Sequence, residues 1–168
     1  RQVGAAKTGY ETLFHEGGHA AHLLNSVQAD TCLNHEYPPT SVSLAETQSM
    51  FMDSIMSSID WLSKYAKNRE GVAYPFELFE KSVRQLHLVR PLGMMGISMV
   101  VDYELSLYSM PDSDLTVENI KSLARDMLAK YTAYSQNSLR ILNIPHIYDW
   151  ESSAYYHGYG IAELAVFQ

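Results

Sequence analysis

The feature that most constrains the fold is the pair His15 and His19, separated by three residues within a partly apolar stretch. On an α-helix, residues four apart lie about 40° apart around the axis and about 6 Å apart along it, so both imidazoles can converge on one site. Four apolar residues flank the pair: Leu13, Phe14, Ala20 and Ala21. The stretch therefore predicts a buried helix, in which polar side chains need a partner.

Glu16 follows His15 directly, and together with His19 it completes the pattern H-E-x-x-H. A divalent metal such as zinc accepts two imidazole nitrogens and lowers the pKa of its bound water to about 7, and an adjacent carboxylate can take the water's proton. A shuffled chain of this composition would contain the pattern only about 0.02 times, so chance explains it poorly. We predict that His15 and His19 are metal ligands and that Glu16 is a general base.

The composition excludes several classes of protein. A formal net charge of −7 argues against binding to the phosphate backbone of nucleic acids. The longest apolar run, 91–101, is too short to cross a bilayer, and no secretory signal is visible. Cys32 is the only cysteine, which rules out an internal disulfide and favours a reducing compartment. We expect a soluble protein that binds neither nucleic acid nor membrane.

Hydrophobic periodicity and capping residues predict an all-α, mainly helical fold, since no strand pattern has comparable strength. The five predicted helices span about 8–25, 41–68, 76–110, 117–135 and 150–167. We expect a capping box formed by Thr8 and Glu11, a cap at Thr116, a helix stop at Gly71, and an interruption or kink near Pro91. The segment 26–40 is predicted to be a surface loop.

Gly17 and Gly18 lie inside the first predicted helix, where each costs roughly 1 kcal/mol relative to Ala. We therefore expect the backbone of another element to approach closely at this point.

A site with two histidines needs a third protein ligand if it is to leave one position for water and substrate. The metzincin pattern would place a third histidine where Asn25 stands. His22 lies about 10.5 Å from His15 along the helix axis, too far to share one ion with both other histidines. The third ligand must therefore come from elsewhere in the chain.

Two acidic residues are candidates for this third ligand: Glu46 on the second predicted helix and Glu36 in the preceding loop. Glu46 reads equally well as the end of a capping box that begins at Ser43, so the residues alone leave the choice open. Two further carboxylates could orient a ligand imidazole through its second ring nitrogen, Glu11 and Asp53. We interpret Glu11 mainly as a capping residue and Asp53 as a solvated surface carboxylate.

The segments Glu11–His19 and Ala45–Ser49, followed by His146 and the cluster Tyr155–Tyr159, resemble the thimet oligopeptidase family of zinc metallopeptidases. That family includes mitochondrial intermediate peptidase and the bacterial oligoendopeptidases. The resemblance covers nearly the whole chain, but family members are several times longer and the first residue is Arg1 rather than Met. We expect residues 1–168 to be a single helical catalytic (sub)domain, a C-terminal fragment of a longer intracellular peptidase, cytoplasmic or mitochondrial.

The resemblance implies that one zinc ion per chain is bound by His15, His19 and Glu46, with Glu16 as general base. It also implies a zincin-type helical core around a deep channel that admits short peptides. The family's late histidine and tyrosines contact the substrate and the tetrahedral intermediate. The matching residues here are His146, Tyr155, Tyr156 and Tyr159. Which of these tyrosines donates to the oxyanion stays open.

The predicted activity is hydrolysis of peptide bonds in short peptides by a zinc-bound water. Two alternatives stay open. One is a zinc hydrolase that acts on a non-peptide substrate. The other is a catalytically inactive helical interaction fragment in which the same residues are merely buried polar groups.

Overall fold

The computed structural model describes residues 7–27, 41–133 and 138–168. These residues are mainly helical and contain no strand, only an isolated β-bridge between Lys67 and Ala73. The predicted all-α fold class is therefore confirmed. Most of the predicted loop 26–40, including Cys32 and Glu36, lies outside the described residues.

The described ranges contain six α-helices. In chain order they are α1 (Lys7–Asn25), α2 (Val42–Ser54), α3 (Ile59–Tyr65), α4 (Phe76–Tyr108), α5 (Val117–Tyr131) and α6 (Tyr156–Val166). Short 3₁₀ turns occur at Ile55–Ser57, Asp112–Asp114, Arg140–Asn143 and Pro145–Ile147.

The second predicted helix, 41–68, is wrong in its extent, because the chain forms α2 and α3 with a 3₁₀ turn between them. The hydroxyl of Ser58 accepts the N–H three residues later at 3.4 Å and so caps α3. A serine that caps a new helix competes with continuation of the preceding one. Gly71, at φ 81°, serves the turn after α3 rather than a helix end at Asn68.

The structure also corrects the predicted ends of the later helices. α4 runs unbroken through Pro91, so the predicted interruption is not observed. The predicted cap at Thr116 is confirmed, although α5 already ends at Tyr131. α6 begins at Tyr156 instead of near Trp150, because the intervening residues form turns and Ala154 has a left-handed backbone with φ 56°.

The chain divides into two compact units, Arg1–Val89 with Ile161–Gln168, and Arg90–Gly160. In the first unit, the main packing is that of α1 against α2. The second unit has a buried apolar cluster contributed by α4, α5 and the two 3₁₀ turns before α6. Its buried members are Val100, Tyr103, Leu107, Ala124, Met127, Ile141 and Ile147.

The expected close approach of a second backbone is confirmed at Gly18. A Cβ atom placed there would lie 2.7 Å from the Cα of Ser49 and 2.9 Å from the carbonyl oxygen of Gln48, both in α2. At Gly17 the expectation is wrong, because no atom would lie within 4 Å of an added Cβ. Of the two glycines, only Gly18 lies where a side chain would prevent the close packing of α1 on α2.

This difference predicts opposite effects for two neighbouring substitutions. Gly18→Ala should lower the free energy of unfolding by about 1–3 kcal/mol, because the methyl group collides with backbone that cannot rotate away. Gly17→Ala should raise it by up to about 1 kcal/mol, through helix propensity alone. Urea unfolding of the two variants makes the comparison. Equal effects would mean that the α1–α2 contact does not depend on Gly18.

Candidate metal centre

The packing of α1 on α2 brings three predicted ligands together. His15 Nε2 lies 3.3 Å from Glu46 Oε2, and His19 Nε2 lies 3.6 Å from the same oxygen. One ligand atom from each of the three residues lies within 4.8 Å of the other two. Two ligands bound tetrahedrally at about 2.0–2.1 Å are roughly 3.3–3.4 Å apart, so Glu46 can share one ion with both histidines.

The donor set has the chemistry of a catalytic zinc site, because two imidazoles and one carboxylate leave a fourth position open. The side chain of Glu46 is only 2% exposed, whereas His15 and His19 are 17% and 27% exposed. A carboxylate this deeply buried requires compensating partners. The hydroxyl of Ser49 supplies one, donating to Glu46 Oε2 at 3.0 Å.

The alternative interpretation of Glu46 as a capping residue is wrong. α2 is capped by Ser41, whose hydroxyl accepts the N–H of Leu44 at 3.4 Å. Ser43 therefore lies inside the helix, and Glu46 lies in its second turn, facing the histidines of α1.

The interpretation of Asp53 as a solvated surface carboxylate is also wrong. Its Oδ2 lies 2.9 Å from His15 Nδ1, which leaves Nε2 of the same ring directed at Glu46. A carboxylate partner on the second ring nitrogen is the usual way to orient a ligand histidine. The sequence signal was the seven-residue separation that places Asp53 on the same face of α2 as Glu46.

Glu11 neither caps α1 nor orients a ligand imidazole, the two roles considered for it. Its carboxylate pairs with Lys7 at 3.4 Å. Thr8 lies inside α1, where its carbonyl accepts the hydroxyl of Thr12, so the predicted capping box is wrong. His22 is half-buried outside the cluster, as expected.

The two carboxylates around His15 raise its pKa to about 9 in the metal-free protein. The hydrogen bond with Asp53 contributes most, followed by the hydrogen bond with Glu46, while burial acts in the opposite direction. His15 is therefore protonated at neutral pH, and a metal must displace that proton to bind Nε2.

This pKa predicts a proton release on zinc binding. Near neutral pH, binding should release about one proton per zinc, and the apparent affinity should fall about tenfold for each pH unit below about 9. Asp53→Asn removes the main cause of the raised pKa and should reduce the release. Calorimetry in buffers of different ionisation enthalpy measures the proton count. Binding without proton release would contradict the charge state inferred for His15.

The general base proposed from the sequence, Glu16, is exposed and directly follows His15 in α1. It therefore shares the helical turn that carries both histidines, as the pattern predicts.

The four late residues predicted to contact substrate form a cluster of rings in the second unit. The ring centre of His146 lies 5.4 Å from those of Tyr155 and Tyr156 and 6.3 Å from that of Tyr159. Tyr159 lies 5.4 Å from each of the other two tyrosines. Burial, and then the negative charge of Glu104, raise the pKa of Tyr156 above its usual range.

Sequence reasoning missed Glu104, a carboxylate in α4 that is only 3% exposed. Its oxygen Oε1 accepts the N–H of Ala154, next to the tyrosine cluster, at 3.1 Å. The available signal was an acidic residue within a mainly apolar part of a predicted helix, where an acidic side chain that is buried needs a partner.

Among the residues that the structure describes, no helix combines the length and apolar character needed to cross a membrane. The family model for peptidase family M3 matches residues 7–165. No curated protein and no solved structure matches the chain. The family match spans every predicted site residue and bears out the resemblance to the thimet oligopeptidase family. The chain belongs to peptidase family M3.

Proposed function

We propose that this chain is the catalytic core of a zinc-dependent endopeptidase that hydrolyses peptide bonds in short peptides. The observation that carries the proposal is the convergence of His15 and His19 on one carboxylate oxygen of Glu46, with Glu16 on the same helical turn. Membership of a peptidase family supports the reaction class.

The proposed zinc ligands are His15, His19 and Glu46, whose spacing and donor atoms fit the ion. Zinc, when bound, supplies a Lewis acid that polarises the scissile carbonyl and lowers the pKa of a water molecule. Asp53 keeps the ring of His15 in place, and Ser49 does the same for the carboxylate of Glu46. These contacts fix the site before substrate arrives.

Glu16 performs the proton transfers. Its carboxylate accepts a proton from the attacking water and passes it to the amide nitrogen of the leaving group, so the C–N bond breaks with a neutral amine as product. An exposed carboxylate suits this task because it must reach both the water and the substrate.

His146 and a tyrosine of the ring cluster stabilise the negative charge that develops on the carbonyl oxygen. Hydrogen-bond donors placed for this charge contribute most when they are fixed before the reaction. The candidates for the tyrosine donor are Tyr155, Tyr156 and Tyr159.

A panel of quenched fluorescent substrates tests the proposal. The zinc-loaded chain should cleave short peptides, lose this activity to a chelator and regain it when zinc is restored. A folded protein and matched esters complete the panel. The folded protein should not be cleaved, and the esters show whether the site also acts on a substrate without an amide. Cleavage of esters with no cleavage of any peptide would contradict the proposed substrate class, and zinc binding without any hydrolysis would contradict the proposed enzymatic role.

A further inference from the structure

The carboxylate of Glu104 has no role in the chemistry proposed above, yet it is almost completely buried. Burial of a carboxylate is unfavourable unless hydrogen bonds compensate for the hydration that it loses. Its Oε1 accepts the backbone N–H of Ala154 at 3.1 Å and lies 3.3 Å from the hydroxyl of Tyr108, one turn later in α4. Ala154 belongs to the segment that carries the ring cluster, and Tyr108 bonds to the same segment at Ile147. Both contacts therefore connect Glu104 with that segment.

One contact of Glu104 lies immediately before the tyrosines. Ala154 has φ 56°, a left-handed conformation that is unfavourable for a residue with a Cβ atom. The next residue is Tyr155, and α6 begins at Tyr156. The left-handed backbone of Ala154 determines the direction of the chain at Tyr155 and Tyr156. The hydrogen bond to Glu104 therefore stabilises the backbone conformation that places these tyrosines in the cluster.

Tyr108 holds the other end of the same segment. Its hydroxyl donates to the carbonyl oxygen of Ile147 at 2.8 Å, directly after His146. Between the two ends, Asp149 closes a turn by accepting the N–H of Glu151 at 3.2 Å and the hydroxyl of Ser152 at 3.0 Å. Both ends of the segment 146–155 are thus attached to one turn of α4.

We propose that Glu104 is a positioning residue that, with Tyr108, holds His146 and the tyrosines in the arrangement needed to contact substrate. This inference rests on the proposed function for the catalytic role of the cluster, but the positioning itself can be measured without activity. According to this proposal, the arrangement of the cluster depends on a hydrogen-bond acceptor at position 104 for the N–H of Ala154. A side chain that only fills the same volume would not be sufficient.

The test compares Glu104→Ala with the isosteric Glu104→Gln, whose amide oxygen can still accept the N–H of Ala154. The first readout is the ring C–H signal of His146 in NMR spectra, assigned by its loss in His146→Gln, because three neighbouring aromatic rings shift it. We expect this signal to move toward the position of an exposed histidine in Glu104→Ala and to stay near the parent position in Glu104→Gln. The zinc content should stay unchanged in both variants.

The second readout is catalysis. Glu104→Ala should lower kcat for a short peptide by about 10–100-fold with a smaller change in KM, because misplaced donors mainly cost transition-state stabilisation. Glu104→Gln should keep kcat within about threefold of the parent value. Asp102→Asn is the matched control, since Asp102 lies on the same helix but pairs with Lys130 at 2.6 Å, and it should leave both readouts unchanged.

An unchanged His146 signal and kcat in folded Glu104→Ala would overturn the proposal, as would equal losses in Glu104→Gln and Glu104→Ala. If Glu104→Ala does not fold, Tyr108→Phe takes its place. Loss of the bond to Ile147 should then move the His146 signal, and no movement would also overturn the proposal. If the parent cleaves no peptide, the proposed function fails, while the NMR comparison still decides the positioning.

Discussion

Glu16→Gln is expected to retain about one zinc per chain and to lower kcat for peptide cleavage by about 10²–10⁴-fold. The amide has nearly the shape of the carboxylate, but it cannot accept a proton from water or deliver one to the leaving amine. Zinc binding should persist because Glu16 is not among the three residues whose ligand atoms converge. Metal analysis together with steady-state kinetics on a quenched peptide measures both quantities.

The matched control for this variant is Glu11→Gln. Glu11 lies on the same helix and pairs only with Lys7 among the contacts identified for it, so neutralising it should leave kcat unchanged. Peptide cleavage at the parent rate by Glu16→Gln would show that another group transfers the proton.

Glu46→Ala is expected to lower zinc affinity more than about 100-fold, beyond the 10–100-fold typical of residues that only orient a ligand. The substitution removes the carboxylate shared by both histidines, so only two protein ligands stay. Competition with a chromophoric chelator at fixed pH gives the affinity.

The zinc affinity of Asp53→Asn is compared with that of Glu46→Ala, to distinguish a residue that orients a ligand from a residue that is a ligand. Its amide can still contact the His15 ring, and Asp53 itself does not belong to the converging ligand atoms. Its loss of affinity should therefore be smaller than that of Glu46→Ala. An equal loss in the two variants, or one zinc held tightly by Glu46→Ala, would contradict the assignment of Glu46 as a ligand.

Local sequence information was sufficient for the position of the helix that carries His15 and His19, because helical spacing alone places two side chains on one face. The predicted burial of this helix is wrong, because Leu13, Ala20 and Ala21 are exposed and only Gly9 and Gly18 are buried in α1. It was insufficient for Glu46, whose capping and ligand interpretations have the same local pattern. The difference between them is the packing of α2 on α1, which is a long-range contact. The family resemblance favoured Glu46 as the ligand, and the geometry agrees with that choice.

The wrong interpretation of Asp53 and the absence of any prediction for Glu104 have the same physical origin. An acidic residue on a helix is usually solvated, and only its partner on another segment shows otherwise. For Asp53 the partner is His15, 38 positions away, and for Glu104 it is the N–H of Ala154, 50 positions away. Sequence periodicity describes one helix at a time and contains no information about such partners.

Side-chain caps fix the starts of α3 and α5, but only the cap of α5 was predicted. Thr116 was identified because its hydroxyl meets an N–H three residues later, a short-range contact. Ser58 makes the same contact, but it was overlooked within a continuous apolar pattern, so α2 and α3 were predicted as one helix. The left-handed Ala154 has no side-chain signature, and the start of α6 was therefore predicted too early.

The central claim is that one zinc ion is bound jointly by His15, His19 and Glu46. Anomalous diffraction recorded on both sides of the zinc absorption edge tests all three ligands in one experiment. The expected result is a single strong peak about 2.0–2.2 Å from the Nε2 atoms of both histidines and from a carboxylate oxygen of Glu46. A peak that excludes Glu46, or crystals grown with zinc that show no peak at these residues, would contradict the claim.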